Sequence, residues 1–238
     1  MQFCQWFCVL VILVSFIYNM AEMKLESSGL LINLRPFNER DCLARIFTRD
    51  HGVLVGMMRG AVVAKKNRPL LGQVGFAVWN ARLDTQLGVF HWDTEKNLAA
   101  PLMMDSGRLM CMNAAFEILS ALLPERESYT ALYDSTCVLC QRLANGEMNA
   151  YLEWEISVLR ELGYALDLSR CSGCGVTENL CYVSPRTGRA VCADCGAPYV
   201  NKLYPLPVNL NVTLRFLESI CMQQGVDVPH MRKMLKLI

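Results

Sequence analysis

The sequence lacks a glycine-rich loop closed by Lys-Ser or Lys-Thr, the arrangement that cradles nucleotide phosphates, and with it any sign of ATP use. Histidine is scarce. His51, His91 and His230 stand alone, and His51, just before Gly52, reads as a turn residue rather than a base. Acidic residues do not gather as a metal-dependent nuclease needs; those between 117 and 161 follow helical spacing, as on a solvated face. No catalytic set stands out, so an enzyme is not expected. Internal repeats and low-complexity stretches are also missing. Net charge is only +1 over 238 residues, so the molecule as a whole is not a basic polyanion binder.

Charge is missing altogether from residues 1–21. A secretory signal would carry Lys or Arg before its apolar run and a small-x-small cleavage site after it, and neither is there. A membrane-spanning helix needs roughly 20 apolar residues. The run from Phe3 to Tyr18, interrupted by Gln5, falls short of that. Met20 and Met23 offer later starts, and polar, strand-like sequence follows Met23 at once. Residues 1–22 are therefore expected to be an over-extended start outside the fold, with a membrane-anchored DNA-binding form as the alternative.

What is present divides the chain by charge and by period. Between Arg35 and Arg82 stand nine Lys and Arg against three Asp and Glu; between Pro101 and Arg170, five against ten. Such segregation fits one part that meets a polyanion and another that does not. Over 23–100 the pattern is β: LLINL (Leu30–Leu34), CLARIFT (Cys42–Thr48), VLVGMMRG (Val53–Gly60), QVGFAVWNARL (Gln73–Leu83) and LGVFHW (Leu87–Trp92), with turn-forming residues between. Five short strands in about 75 residues fit a small closed barrel, of which the OB-fold is the commonest nucleic-acid-binding example. Periodicity does not separate it from an SH3-like barrel or a sandwich.

After Pro101 the period becomes 3.6. One helix starts near Ser106 and ends before Pro124, with Leu109, Met112, Phe116, Leu119 and Leu123 on one face. Others are predicted over about Tyr129–Leu143, Asn149–Leu162 with Gly163 as its cap, Val208–Met222 and Pro229–Leu237. The expected fold class is α+β: an N-terminal OB-fold β-barrel (23–100) followed by an α-helical domain (101–170 and 200–238), with an inserted Cys4 zinc-ribbon-like knuckle pair (171–199).

Twelve cysteines are many for this length. Cys171 with Cys174, and Cys192 with Cys195, form two C-x-x-C pairs, each in a glycine-bearing turn, with seventeen residues between the pairs. The intervening segment reads as a hairpin, Cys181–Ser184 and Arg189–Cys192 around a Pro185–Gly188 turn. A hairpin brings both turns to one place, as a tetrahedral Cys4 zinc requires. With all four positions filled, the zinc would be structural, one per chain. Buried thiols or a thioredoxin-like pair would not explain two matched knuckles at this spacing. Cys137 and Cys140 share the C-x-x-C spacing but lie mid-helix without glycines; they read as packing, as do Cys42, Cys111, Cys181 and Cys221.

The cations Arg35, Arg45, Arg49, Arg59, Lys65, Lys66, Arg68 and Arg82 fall on the expected barrel, four of them in the loop RGAVVAKKNRP. Poorly matched by acids, they suit DNA phosphate contacts better than a merely solvated face. Phe37, Phe47, Phe76 and Trp79 lie nearby; some can stack bases and most are expected in the core.

At this point the order of parts resembles the RecO family of DNA repair proteins. RDHGVLVGMMRGA and LLGQVGFAVWNARL resemble its turn-and-strand before the basic loop and its next strand. ELGYALDLSRCSGCG, YVSPRTGRAVC, APY and the stretch Leu203–Pro207 resemble its signature around the zinc site. The resemblance covers about Met23 to the end and has no counterpart for residues 1–21. It implies a cytoplasmic, nucleoid-associated protein that binds single- and double-stranded DNA, anneals complementary strands, acts with RecR and often RecF, contacts single-stranded-DNA-binding protein and assists RecA loading. For the acidic, apolar-tipped tail of single-stranded-DNA-binding protein, the expected receptor is the C-terminal segment, with Lys202 and Arg215 beside Leu203, Leu206, Leu214 and Leu217, and Arg232, Lys233 and Lys236 close by. The competing class is a zinc-ribbon transcription factor, which sequence-specific binding would reveal.

Overall fold

The computed structural model describes residues 23–66, 68–82, 86–164 and 166–235. Residues 1–22, and with them the expectation of an over-extended start or an anchor, lie outside that range. Among the described residues no helix is long and apolar enough to cross a membrane.

Strands β1 (Met23–Pro36), β2 (Cys42–Thr48), β3 (Gly52–Met58), β4 (Gln73–Ala81) and β5 (Gly88–Asn97) close into a barrel in the order β1-β2-β3-β5-β4. All pairs are antiparallel except β3 with β5, which run parallel at Gly56–Gly88 and Met57–Val89. A parallel closure between β3 and β5 does not arise in a simple meander. It marks the five-stranded Greek-key barrel of the OB type and decides among the barrels that periodicity left open.

β1 runs well beyond the expected Leu30–Leu34. It serves two neighbours, pairing with β4 over Met23–Leu30 and with β2 over Gly29–Pro36. Gly29 sits where it changes partner; a Cβ there would meet Ile46 Cγ2 at 2.5 Å. Opposite it, Gly75 leaves room for the Asp93 carbonyl, 2.1 Å from where a Cβ would stand.

Side chains alternate across the barrel wall. Leu31, Ala44, Ile46, Leu54, Ala77, Trp79 and Phe90 fill the interior. Leu30, Ile32, Phe47, Val53 and Val74 point outward into a second core shared with the helices. Those helices are α1 (Ser106–Leu122), α2 (Thr130–Ala144), α3 (Ala150–Glu161), the short α4 (Ala193–Gly196) within the cysteine segment, α5 (Leu210–Gln224) and α6 (His230–Met234). Asp105 caps α1 through Arg108 N, and Asn209 caps α5 through Asn211 N and Val212 N. Gly163 (φ +90°) follows α3 in the left-handed region, as its position predicts. The last helix, expected over Pro229–Leu237, is described as His230–Met234; residues 236–238 lie outside the described range.

The barrel is clamped to the helices at several points. Arg49 forks onto Asp134 of α2 with two 3.0 Å bonds, and Arg45 Nη1 donates to the Ser120 carbonyl of α1 at 3.0 Å. Arg126 N donates to Val53 O, and Gly52 (φ +67°) packs so tightly that a Cβ would fall 1.7 Å from Glu127 O.

Within the helical layer, Glu155 of α3 and Arg232 of α6 form a fully buried ion pair, both at 0% exposure. Arg232 Nη2 donates to Glu155 Oε2 at 2.9 Å, to the Leu210 carbonyl and to Thr213 Oγ1, and the Thr213 hydroxyl donates to Glu155 at 2.8 Å. Burial pushes the Glu155 carboxyl up, while Arg232, Thr213 and Tyr151 pull it back. One uncompensated charge in this position is far worse than none. Arg232→Met is therefore expected to cost about 3–5 kcal/mol in urea unfolding. The double variant Glu155→Leu/Arg232→Met should be more stable than Arg232→Met alone. A double variant that lost the sum of both singles would show that the pair has no such coupling.

Candidate metal centre and nucleic-acid interface

The hairpin read between the cysteine pairs is present as β6 (Leu180–Val183) and β7 (Ala190–Cys192). Its sheet takes a third strand, β8 (Tyr204–Pro205), from beyond residue 199. Cys171, Cys174, Cys192 and Cys195 come together, with all four Sγ atoms within 4.8 Å of one another and Cys174 to Cys192 at 3.7 Å. Four thiolates at about 2.3 Å from a central ion would stand about 3.8 Å apart. The set can therefore hold a metal ion.

The surrounding backbone fits the same purpose. Gly173 N donates to Cys171 Sγ at 3.3 Å and Cys195 N to Cys192 Sγ at 3.5 Å. A Cβ on Gly173 would come within 3.0 Å of Cys195 Sγ. Gly175 (φ +81°) turns the chain so that Val176 N–H serves Cys174. Gly196, the glycine of the second turn, instead lies against the Tyr182 ring. Backbone N–H groups of Cys192, Cys174 and Gly173 lower the Cys171 pKa to about 6. Cys195 is pushed up to about 12, first by Cys174, then by Cys192 and Cys171. Thiols this close do not all ionise without a cation among them. The local apolar core is only Cys171, Val191 and Cys192, edged by Leu180, Tyr182 and Leu203, so it is too small to hold the segment unaided. By contrast, Cys140 is buried in the shared core and burial pushes its thiol to about 12, an inert packing group.

The basic residues separate into groups. Arg59, Lys65, Lys66 and Arg68 are exposed on the β3–β4 loop and form no ion pair among the described residues. This loop is tethered at both ends. Asp41 Oδ1 accepts from Gly60 N at 2.8 Å, and Arg40 O accepts from Val62 N at 3.0 Å. At the far end Gln73 Oε1 accepts from Leu70 N at 3.1 Å. Arg35, exposed near the end of β1, lines with Arg45 a cleft of about 320 Å³ between barrel and helices. Arg45 and Arg49 do not join this group. They share the outward face of β2 with Phe47 and are engaged with the helices. Arg82, exposed just past β4, lies at the Met23 end of β1 rather than the Pro36 end. Sequence reading missed Arg40, which is exposed and held by the Asn38 side chain accepting from Arg40 N and Asp41 N. Its stretch, RPFNERD, carried only a turn signal.

Two family profiles match this chain: Recombination protein O N terminal over residues 20–91 and Recombination protein O C terminal over 103–237. The chain belongs to the RecO family of DNA repair proteins. Similar relatives include the DNA repair protein RecO of Dinoroseobacter shibae, 39% identical over 187 residues, covering 76% of this chain and 77% of the relative. The Rhodospirillum centenum RecO is 39% identical over 190 residues, 78% of this chain and 76% of the relative. The Anaplasma marginale RecO is 36% identical over 203 residues, covering 84% and 83%.

The C-terminal groove expected in this RecO-family chain takes a different form. Leu214 and Leu217 are buried, and Arg232 faces Glu155 rather than solvent. Leu203 and Leu206 are half-buried, Lys202 is exposed, and the Arg215 guanidinium stacks 5.0 Å from the Tyr204 ring. Lys233 is exposed and Lys236 lies outside the described residues.

The metal centre predicts a local effect. Chelation, or Cys174→Ser, is expected to abolish amide-exchange protection of residues 180–192 while the barrel strands stay protected. Reduced, chelator-free protein found without any bound metal would overturn the site.

Proposed function

We propose that this chain binds single- and double-stranded DNA through the loop-bearing end of its barrel and brings complementary strands together, acting with RecR and RecF to help load RecA. The observation that carries this reading is the tethered loop. Arg59, Lys65, Lys66 and Arg68 are exposed on a loop tied at both ends and form no ion pair among the described residues, so they are available to phosphates. Strand annealing needs no covalent chemistry. Cations that screen two backbones lower the repulsion between them, and the protein works as a non-enzymatic mediator inside the cytoplasm, on the nucleoid.

The ion in the Cys4 centre is zinc in this reading. A closed thiolate set suits it, and with no open position it stabilises the hairpin rather than activating water. Lys202 and Arg215, beside Leu203 and Leu206, remain the receptor proposed for the acidic tail of single-stranded-DNA-binding protein. Their positive charge and half-buried leucines match an acidic peptide with an apolar tip. In fluorescence anisotropy, Lys202→Glu with Arg215→Glu should weaken tail-peptide binding at least ten-fold; unchanged affinity in the folded double variant would move the receptor elsewhere.

The DNA reading is tested by salt dependence. Reversing Lys65, Lys66 and Arg68 to Glu is expected to weaken binding to all sequences alike and to lower the log-affinity against log-salt slope by roughly two to three units, near one per phosphate contact. Arg49→Ala should leave that slope unchanged and lower stability instead, because its partner is Asp134. A triple variant with a wild-type slope would place the DNA elsewhere.

A further inference from the structure

Six aromatic residues lie in the barrel region, and the structure separates them: Phe90 is buried in the interior, and Trp92 is half-buried and packed against that core. Phe47 points into the shared core, edge-on to Tyr133 at 5.6 Å. Trp79 fills the barrel interior, its indole N–H donating to Val55 O at 2.8 Å. Phe76 is 40% exposed on β4, directly across from Asp93 on β5. Phe37 is 58% exposed and has no ring partner among the described residues.

Phe37 is exposed but not loosely held. It opens the β1–β2 loop, residues 37–41, whose backbone is locked by hydrogen bonds. Phe37 N donates to Asp41 O at 2.9 Å, and Asn38 Oδ1 accepts from Arg40 N at 2.8 Å and Asp41 N at 2.7 Å. The Asn38 amide donates to Asp41 Oδ2 at 3.0 Å. Asp41 also accepts from Gly60 N, which ties this loop to the basic one. Arg40 and Arg59 act on the Asp41 carboxyl and Arg68 on the neighbouring Cys42 thiol, so three guanidinium groups surround this corner. Arg35 stands two residues before the ring and is exposed.

An exposed aromatic ring on a fixed backbone, with Arg35, Arg40, Arg59 and Arg68 near it against only Glu39 and Asp41, is complementary to a flat apolar face attached to a polyanion. An unpaired nucleobase is such a face. Bases stack on aromatic rings whatever their sequence, and a preset platform loses little freedom on binding. In a duplex each base already has neighbours on both faces, so the same ring finds nothing to cover. We propose that Phe37 is a stacking platform for an unpaired base of single-stranded DNA and is the residue by which this end of the barrel distinguishes single from double strands. This rests on the DNA-binding reading above and adds strand discrimination, which the cations alone do not supply. Phe76 makes an internal control, since the Asp93 carboxylate directly across from it repels the phosphates that would accompany a base.

The experiment uses the full chain and three ligands: a deoxythymidine oligonucleotide, an abasic backbone of equal length, and a duplex. Phe37→Ala is expected to weaken oligonucleotide binding roughly five- to a hundred-fold, the range of one lost base stack. Abasic and duplex binding should stay as in wild type, Phe37→Tyr should restore the oligonucleotide, and Phe76→Ala should change none of the three. Equal oligonucleotide affinity in wild type and Phe37→Ala would overturn the stacking role alone. An equal loss on all three ligands would also overturn it, because the ring would then serve the loop or the backbone rather than a base. A wild-type chain that bound no DNA would overturn the DNA-binding reading, and this inference with it.

Discussion

The outer wall of the barrel is docked on the helices, and the placement of everything else follows from that contact. Leu30, Ile32, Phe47, Val53 and Val74 leave the barrel on its outward face and enter one apolar core with α1 and its neighbours. Burial of this kind is the dominant favourable term in folding, and it lacks direction. Direction comes from polar groups at its edge: Arg49 on Asp134, Arg45 on the Ser120 carbonyl, and Gly52 against Glu127. Because β2 alternates, the face that carries Phe47 must also carry Arg45 and Arg49. Two cations that look like DNA contacts in one dimension are thereby committed to the interface between barrel and helices.

The opposite consequence holds at the loop end. The β1–β2 and β3–β4 loops extend beyond the docked wall and are tied to each other through Asp41 and Arg40. Asn38 and the Gly60 N–H hold the Asp41 carboxyl below its usual range, with Arg40 and Arg59 contributing, so it remains an acceptor for the loop. A single carboxylate engaged with backbone thus organises several cations without neutralising them by contact. The cysteine cluster uses similar local logic with sulfur in place of oxygen: backbone N–H groups serve the Cys171, Cys174 and Cys192 sulfurs, in a segment with little apolar core of its own.

How much of this was legible in the sequence depended on the range of the signal. The Cys4 centre was readable because its ligands come in short pairs with turn glycines, and the hairpin between them carries its own turn. The strands Cys42–Thr48 and Gln73–Ala81 were readable as runs, and Gly163 marked the end of α3. The first half of β1 was readable only as polar, strand-like sequence after Met23 and not as an apolar run, since Met23–Ser28 mixes lysine, glutamate and serine into a wall strand. The destinations of Arg45, Arg49 and Arg232 were also hidden. A charged residue looks the same in sequence whether it faces water or a partner many positions away, and Asp134 and Glu155 stand 85 and 77 residues from theirs. Leu214 and Leu217 show the same limit from the apolar side, since amphipathic spacing does not say what covers it.

The separation of Glu155 from Arg232 has a consequence for the order of synthesis. A ribosome delivers the carboxylate long before the guanidinium that compensates it. While α6 is still unmade, α3 carries an acid whose buried position has no counter-charge, so the helical layer either takes that carboxyl in protonated or leaves it in water. The barrel's apolar interior comes from residues before Asn97, with Arg126 adding only a guanidinium 5.0 Å from the Trp79 ring, and it can close earlier. The Glu155 carboxylate thus gains its counter-charge only when α6 emerges, and a transcript cut short before Arg232 leaves the barrel attached to a helical layer whose acid has lost its guanidinium partner.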